Sequence, residues 1–145
     1  MDIAVIGEDA AALCRRAGVA AQTYSSPEEA ADRVWALLAL TRNAAFATFP
    51  DTLRAHTFLL PGDSGPASAR AVQAQQVVGY GFSPRDTLTL SSFTGSERFL
   101  CVQRSLFTLG GTPVEPQELP LNSALSALND EQVLFLAGLR LLCDL

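Results

Sequence analysis

The segment that decides the fold is residues 75–93, QQVVGYGFSPRDTLTLSSF. A short apolar run, Val77-Val78, leads into Gly79-Tyr80-Gly81, which is typical of a buried strand that ends in a glycine turn. After a polar turn, Thr and Leu alternate, which predicts a strand with one buried face. The segment therefore predicts a change from a buried parallel strand before Pro84 to an antiparallel strand after it.

Upstream of this segment, apolar runs alternate with helical patterns. The runs predict strands at Ile3–Ile6, Ala20–Tyr24, Ala44–Phe49, His56–Leu60 and Gln76–Tyr80. Helices are predicted up to Gly18, from the Ser-Pro-Glu-Glu start at Pro27 to about Thr41, and over Ala67–Ala74. Strands and helices that alternate at this spacing indicate a parallel sheet with right-handed crossovers.

Downstream, the pattern predicts a three-stranded antiparallel meander over residues 84–121. Its strands are Thr87–Leu90, Phe99–Leu109 and Val114–Leu121, with a turn at residues 94–96, a hairpin turn at Gly110-Gly111 and prolines that mark the last strand as an edge. Residues 122–145 are predicted to be helical, with segments at Ser123–Leu128 and Glu131–Cys143 and a cap at Asn129-Asp130. The predicted fold class is α/β. It is a mainly parallel Rossmann-like sheet with flanking helices (1–83), the meander (84–121) and the terminal helix (122–145), in one domain of residues 1–145.

The composition excludes several kinds of chemistry. Of the 145 residues, 48% are hydrophobic and 17% charged, which is enough apolar material for a core. All ten basic residues are arginines, so no Schiff base, lysine general base or P-loop lysine is possible. A net charge of -5 without a basic run argues against nucleic-acid binding.

The cysteines and the apolar segments point to a cytoplasmic protein. Cys14, Cys101 and Cys143 are far apart in apolar surroundings, so we expect reduced thiols and neither a metal site nor another cofactor. The start of the chain has no basic region like that of a signal peptide. The apolar stretch Val133–Leu142 contains Arg140 and is too short to span a bilayer, so no membrane contact is expected.

Polar side chains follow the predicted strands and form a candidate pocket. Ligands of open α/β sheets bind beyond the carboxyl ends of the strands. The candidate residues at those ends are Glu8, Asp9, Asp51, Asp63, Ser64 and Tyr80. They could hold a small ligand or a divalent cation, or they could be solvated caps and turns.

No catalytic constellation is apparent, so we expect no enzymatic activity. His56 is the single histidine. A triad with Ser64 and Asp63 is disfavoured because the GxSxG nucleophile elbow is missing and residues on one turn rarely form a triad. The terminal helix is apolar nearly all round, which indicates either a core position or a contact with a protein partner or a second copy.

Residues 57–145 resemble the central domain of Mur ligases, which join amino acids to a cell-wall precursor with ATP. The stretch FLLPGDSGP at 58–66 corresponds to a strand-end loop of that domain, and VVGYG at 77–81 corresponds to a strand of the family that ends in Tyr-Gly. The meander follows in the same order as in the family. LPLN at 119–122 leads into an Ala/Leu helix. The resemblance implies that Asn122 approaches a nucleotide base, although a helix N-cap is the alternative. The family's P-loop and its active-site lysine have no counterpart here.

Residues 1–50 resemble the start of the small F subunit of rotary V/A-type ATPases, with a strand, a Gly-acidic turn, a helix and then a Pro-Glu-Glu helix. Three hypotheses follow. The first is a non-catalytic Mur-ligase-like protein that acts through protein-protein interaction. The second is a Rossmann-like assembly protein similar to that small rotary-ATPase component. The third is a sensor that binds a small ligand or a metal in its strand-end loops.

Overall fold

The computed structural model describes residues 2–44, 49–64, 70–92, 98–121 and 128–145 and confirms the predicted α/β class. The strands are Ile3–Ile6 (β1), Gln22–Tyr24 (β2), Val34–Leu40 (β3), Arg54–Pro61 (β4), Gln73–Tyr80 (β5), Leu88–Ser92 (β6), Arg98–Val102 (β7), Leu106–Phe107 (β8), Pro113–Val114 (β9) and Gln117–Pro120 (β10). The described α-helices are Ala10–Ala17 (α1) and Asp130–Leu142 (α2). Single 3₁₀ turns lie at Pro27–Ala30, Arg42–Ala44 and Gly62–Ser64.

One sheet of eight strands changes from parallel to antiparallel pairing at β6, which has a parallel neighbour on one side and an antiparallel neighbour on the other. Its order is β10-β7-β6-β5-β4-β3-β1-β2, and β8 pairs with β9 in a separate small sheet. The strands from β2 to β6 in this order are parallel, and β5 meets β6 at Tyr80 and Leu88. From β6 onward the pairing is antiparallel, through β7 to β10. The predicted antiparallel pairing of the later strands is therefore confirmed, but the strand after Pro84 is parallel to β5. The predicted strand Val114–Leu121 is divided, because Val114 belongs to β9 in the small sheet and only Gln117–Pro120 forms β10, at the predicted edge.

Two core clusters lie on opposite faces of the sheet, because neighbouring residues of a strand point to opposite sides. Leu37 and Ala39 belong to one cluster with α1 and α2, which we call the helix-side core. Leu38 and Leu40 belong to the other, which we call the turn-side core. In the turn-side core the buried Trp35 indole donates a hydrogen bond of 2.9 Å to the Ala30 carbonyl.

Helix α2 is part of the helix-side core. Its N-terminus has the predicted cap: Asn129 and Gln132 form a capping box, in which each side chain accepts from the other residue's backbone N–H. The buried residues are Val133, Leu134, Phe135, Leu136, Ala137, Gly138, Leu139 and Leu142. Packing within the chain therefore accounts for the apolar composition of this helix.

The predicted helix from Pro27 to Thr41 is wrong. The Ser-Pro-Glu-Glu start forms only the 3₁₀ turn, Asp32 then adopts a positive φ of 65°, and Val34–Leu40 is strand β3. The run VWALLAL is apolar on both faces, which suits a central parallel strand covered on both sides. Sequence periodicity cannot distinguish such a run from a buried helix.

This error shifts the neighbouring assignments. In the strand predicted at Ala44–Phe49, Ala44 lies in a 3₁₀ turn, Phe49 lies in no strand, and residues 45–48 are outside the described residues. The helix predicted at residues 67–74 is wrong at its end, because Gln73 already begins β5; residues 67–69 are not described. The predicted turn at residues 94–96 and most of the helix at 123–128 also lie outside the described residues.

The predicted long strand Phe99–Leu109 is two strands. After β7 the chain leaves the sheet, and β8 forms a hairpin with β9 around the predicted Gly110-Gly111 turn. The Gln76 side-chain amide holds this hairpin on the sheet. It donates to the Phe107 carbonyl at 2.9 Å and accepts from the Phe107 N–H at 2.8 Å.

Candidate functional site

Two adjoining cavities lie at the carboxyl edge of the parallel strands. The first, which we call the switch-point hollow, has a volume of about 190 Å³ and lies between the residues that follow β1 and β3 and the start of α2. The second, which we call the strand-end cleft, has a volume of about 430 Å³ and lies beyond β4 and β5. Arg42, Tyr80 and Glu131 line both cavities and form the boundary between them.

The hollow lies where the direction of the sheet's growth reverses. The chain runs from β1 outward to β2, and then returns across β1 to β3. The first connection contains α1 in the helix-side core, and the second places Ala30 in the turn-side core. Because the two connections leave on opposite faces, a crevice opens between the ends of β1 and β3. This position is where open α/β sheets usually bind their ligands.

Two residues that line the hollow each carry a side-chain oxygen that is itself buried and has no hydrogen-bond partner among the described residues. Asp9 Oδ1 follows β1, and Thr41 Oγ1 follows β3. Thr41 is only 1% exposed. A third such atom, Ser64 Oγ, lies in the turn after β4. These three strands are neighbours in the sheet, so all three unpartnered oxygens gather at one edge.

The backbone around Thr41 and Asp9 has unusual local geometry. Gly7 has a φ of 152°, and a Cβ there would lie 1.8 Å from Thr41 Oγ1. The turn after β1 therefore requires glycine for both its backbone angle and its contact with the hydroxyl. Asp9 occupies the N-cap position of α1, yet its side chain makes no capping hydrogen bond. Its carboxylate thus does not have the usual structural role of an acidic residue at this position.

Arg42 is held by carboxylates at the boundary of the two cavities. Its guanidinium forms an ion pair with Asp63, and its Nε lies 3.9 Å from Glu131 Oε2. The hydrogen bond from Arg42 lowers the pKa of Asp63, and the same bond raises the pKa of Arg42. The cation is therefore largely balanced by groups of the chain itself.

Tyr80 forms the floor between the cavities. Its hydroxyl donates a hydrogen bond of 2.7 Å to the Leu40 carbonyl, and its ring lies 5.5 Å from that of Phe135. Burial raises the pKa of Tyr80 well above its ordinary value; Arg42 opposes this, and the charges of Asp9, Glu131 and Asp63 add to it. Tyr80 is thus a neutral, fixed side chain in a locally acidic environment.

Asp86 shapes the strand-end cleft. It is 6% exposed, and its Oδ2 accepts from the Ser83 N–H at 3.0 Å. A Cβ on Gly62 would lie 1.5 Å from Asp86 Oδ1, and a Cβ on Gly81 would lie 2.5 Å from Oδ2. These two strand-end glycines make room for the carboxylate, which in turn orders the loop after β5.

The structure brings some of the predicted site residues together and separates others. Asp9 and Tyr80 line the hollow, and Asp63 lines the cleft with Tyr80. Ser64 follows Asp63 at the same edge, and Glu8 is exposed in the turn before α1.

Two predicted residues fall elsewhere. The placement of Asp51 at the carboxyl edge is wrong, because it lies just before β4 begins at Arg54 and so belongs to the opposite edge. Asn122 lies outside the described residues.

Several residues of the site, among them Thr41, Arg42 and Asp86, are not predicted from the sequence. The first two follow β3 directly, so a correct end for that strand would have found them. Asp86 carries no local signal beyond a polar turn, because its surroundings come from two separate strand ends.

The part of the chain that is described was compared with two kinds of feature, a cluster of metal-ligating side chains and a helix able to cross a membrane. No three His, Cys, Asp or Glu side chains there are grouped to hold a metal ion. Cys14, Cys101 and Cys143 are free thiols, and burial raises the pKa of Cys14 and Cys143 to about 11, which disfavours the thiolate that metals bind. Neither described helix has the length and apolar character needed to cross a bilayer.

Comparison of the chain with protein-family models, with curated proteins and with solved structures finds no match. The resemblances to the Mur ligase central domain and to the small rotary-ATPase component therefore stay predictions, and the geometry of the edge itself supports the functional proposal below.

Proposed function

We propose that this chain is a small-molecule-binding protein whose ligand occupies the switch-point hollow and extends into the strand-end cleft. The observation that carries the proposal is that two residues lining one cavity, Asp9 and Thr41, each have a buried oxygen, Oδ1 and Oγ1, without a described partner. The proposal develops the third of the three hypotheses drawn from the sequence, restricted to a small molecule.

The unpartnered oxygens favour a ligand because they are unfavourable without one. A buried polar group that lacks a hydrogen bond destabilises a fold by about 1–3 kcal/mol. Buried polar groups are therefore nearly always paired, and an exception calls for a specific reason. A bound molecule that donates to both oxygens would remove this unfavourable term. Local destabilisation of this kind is often concentrated at functional sites.

The cleft gives such a ligand a second region to occupy. Phe82 at its border is 58% exposed, so it offers an aromatic surface to a bound molecule. Arg85 also lines the cleft, where its guanidinium could contact a polar group of the ligand. The two cavities together are in the size range of small-molecule sites.

A protein partner is less well supported by the packing. The apolar side chains of α2 that suggested an interface are buried against the sheet and α1. Partner binding, descent from a Mur-like domain and the lack of catalysis all stay predictions from the sequence, and the proposal concerns binding alone.

Mapping of small fragments by NMR tests the proposal. A fragment library is screened against the isotopically labelled chain, and the backbone amides that shift are assigned. We expect the shifts from bound fragments to cluster at residues 7–10, 41–44 and 129–132. Shifts that cluster instead at the cavity beside His56 and Phe107, which serves as an internal control, would contradict the proposal, as would a screen without binders.

A further inference from the structure

We infer that the switch-point hollow binds the protonated amino group of a primary amine, which lies between Asp9 and Thr41. The inference rests on the proposed function and names the ligand's chemical class. It follows from the hydrogen-bonding capacity of the unpartnered atoms, from the charges around them and from the apolar wall of the same cavity.

The hydrogen bonds that the hollow can make call for a donor. A carboxylate oxygen such as Asp9 Oδ1 accepts hydrogen bonds and cannot donate them, and the Thr41 hydroxyl is able to accept as well. An ammonium group carries three N–H donors and no acceptor. An ammonium thus has enough donors for both oxygens, whereas a ligand carboxylate or phosphate offers nothing to Asp9 Oδ1.

The charges around the hollow favour a cation. Among the described residues that line it, Asp9 and Glu131 are carboxylates and Arg42 is the cation. Arg42 is already engaged by Asp63 and lies beside Glu131. The charges of Asp9, Glu131 and Asp63 also raise the pKa of Tyr80, as expected in a negatively charged environment. The N-termini of α1 and α2 add partial positive charge at the hollow, but the full charges of its carboxylates outnumber that of Arg42, so a ligand anion would meet a net negative charge.

One wall of the hollow suits a short apolar group attached to the amine, while Asn43, Asn129 and Gln132 add polar side chains elsewhere in the lining. Leu13 and Phe135 line it together with the ring of Tyr80. The Tyr80 and Phe135 rings pack with their centroids 5.5 Å apart at an interplanar angle of 58°. A cation near an aromatic ring is further stabilised by the ring's electrons. The volume of about 190 Å³ fits an amine with a few carbon atoms.

Three probes of similar shape and different charge test the inference. n-Butylammonium, 1-butanol and butyrate are titrated into the labelled chain at constant ionic strength, and amide shifts of residues 7–10 and 41–44 are followed. We expect n-butylammonium to bind with a Kd of about 1 mM, as suits so small a ligand. Butanol should bind at least tenfold more weakly, and butyrate should not shift these amides.

Substitutions locate the contacts. Asp9→Asn keeps a residue type suited to an N-cap and should weaken n-butylammonium binding at least tenfold. Thr41→Val should weaken it roughly three- to tenfold, because one hydrogen bond is lost. Asp51→Asn removes the same charge at the opposite edge of the sheet and should leave the Kd unchanged within twofold.

The outcomes separate the inference from the proposed function. Equal binding of the three probes, preferred binding of butyrate, or an Asp9→Asn variant that binds the amine as tightly as the parent would overturn the amine inference. In each of these cases a small molecule would still occupy the hollow. If none of the probes shifts residues 7–10 and 41–44, the amine inference fails. If the fragment library also fails there, the proposed function fails with it.

Discussion

Replacement of Thr41 by valine should stabilise the unliganded chain. Valine has nearly the shape of threonine, so Thr41→Val replaces the hydroxyl by a methyl group, which must fit against the Gly7 backbone that the hydroxyl now contacts. Thr41 is 1% exposed and its Oγ1 has no described partner. An unsatisfied buried hydroxyl destabilises a fold by about 1–3 kcal/mol, so we expect the free energy of unfolding to rise by about 1 kcal/mol or more. For a chain of this size that corresponds to a rise in Tm of about 4 °C.

Thr57→Val is a matched control with the opposite expected sign. Thr57 lies on β4, next to β3, and is 0% exposed. Its Oγ1 accepts from Gln76 Nε2 at 3.1 Å and lies 3.0 Å from His56 Nδ1. The same substitution there leaves a Gln76 N–H without its acceptor, so the free energy of unfolding should fall by about 1–2 kcal/mol.

Urea denaturation of the parent and both variants, without added ligand, measures the two effects. Constant m-values would show that the substitutions act on stability and not on the extent of unfolding. If Thr41→Val lowers the free energy of unfolding as Thr57→Val does, the Thr41 hydroxyl has a partner in the free protein. That result would refute the description of the hollow.

Two further predictions concern the cleft. Gly62→Ala should destabilise the chain strongly in urea denaturation, because its Cβ would lie 1.5 Å from Asp86 Oδ1. Gly79→Ala is the control and should have a much smaller effect, because its Cβ would lie 3.5 Å from the same atom. Equal effects of the two substitutions would contradict the role given to Asp86. Arg42→Gln should return the pKa of Asp63 upward toward its ordinary value, as read from the carboxyl carbon in an NMR pH titration. Because the folded-state pKa of Asp63 is lowered, its stabilising effect is present above the unfolded-state pKa. This stabilisation is lost as the pH falls through the folded-state pKa of Asp63, so the stability of Arg42→Gln should not show this loss at acid pH. An unchanged titration of Asp63 in the variant would count against the ion pair.

The fold class was predictable from the sequence because the signals are local at the decisive points. The alternating Thr and Leu after VVGYG mark β6, the strand at which parallel pairing gives way to antiparallel pairing, and Asn129 caps α2 as its position suggests. The region from Pro27 to Thr41 failed because a helix start signal precedes a run that is apolar on both faces. The run forms a strand because the two core clusters cover β3 on both of its faces, and no local sequence pattern shows this.

The same error accounts for most of the missed site. Since β3 was placed at Ala44–Phe49, its carboxyl end moved away from Leu40, and Thr41 and Arg42 were overlooked. Asp51 was then assigned to the wrong edge for the same reason. Asp9, Asp63 and Tyr80 were found because the ends of β1, β4 and β5 were placed correctly. What no single sequence shows is that Asp9 and Thr41 lack partners, because this depends on every neighbouring side chain.

A crystal structure of the chain soaked with n-butylammonium at high resolution tests the central claim most directly. We expect density in the switch-point hollow, with one nitrogen within hydrogen-bond distance of both Asp9 Oδ1 and Thr41 Oγ1. The claim would be contradicted if both oxygens were already hydrogen-bonded to groups of the chain and the hollow stayed empty, both in crystals soaked with this amine and in crystals soaked with any fragment that binds in solution.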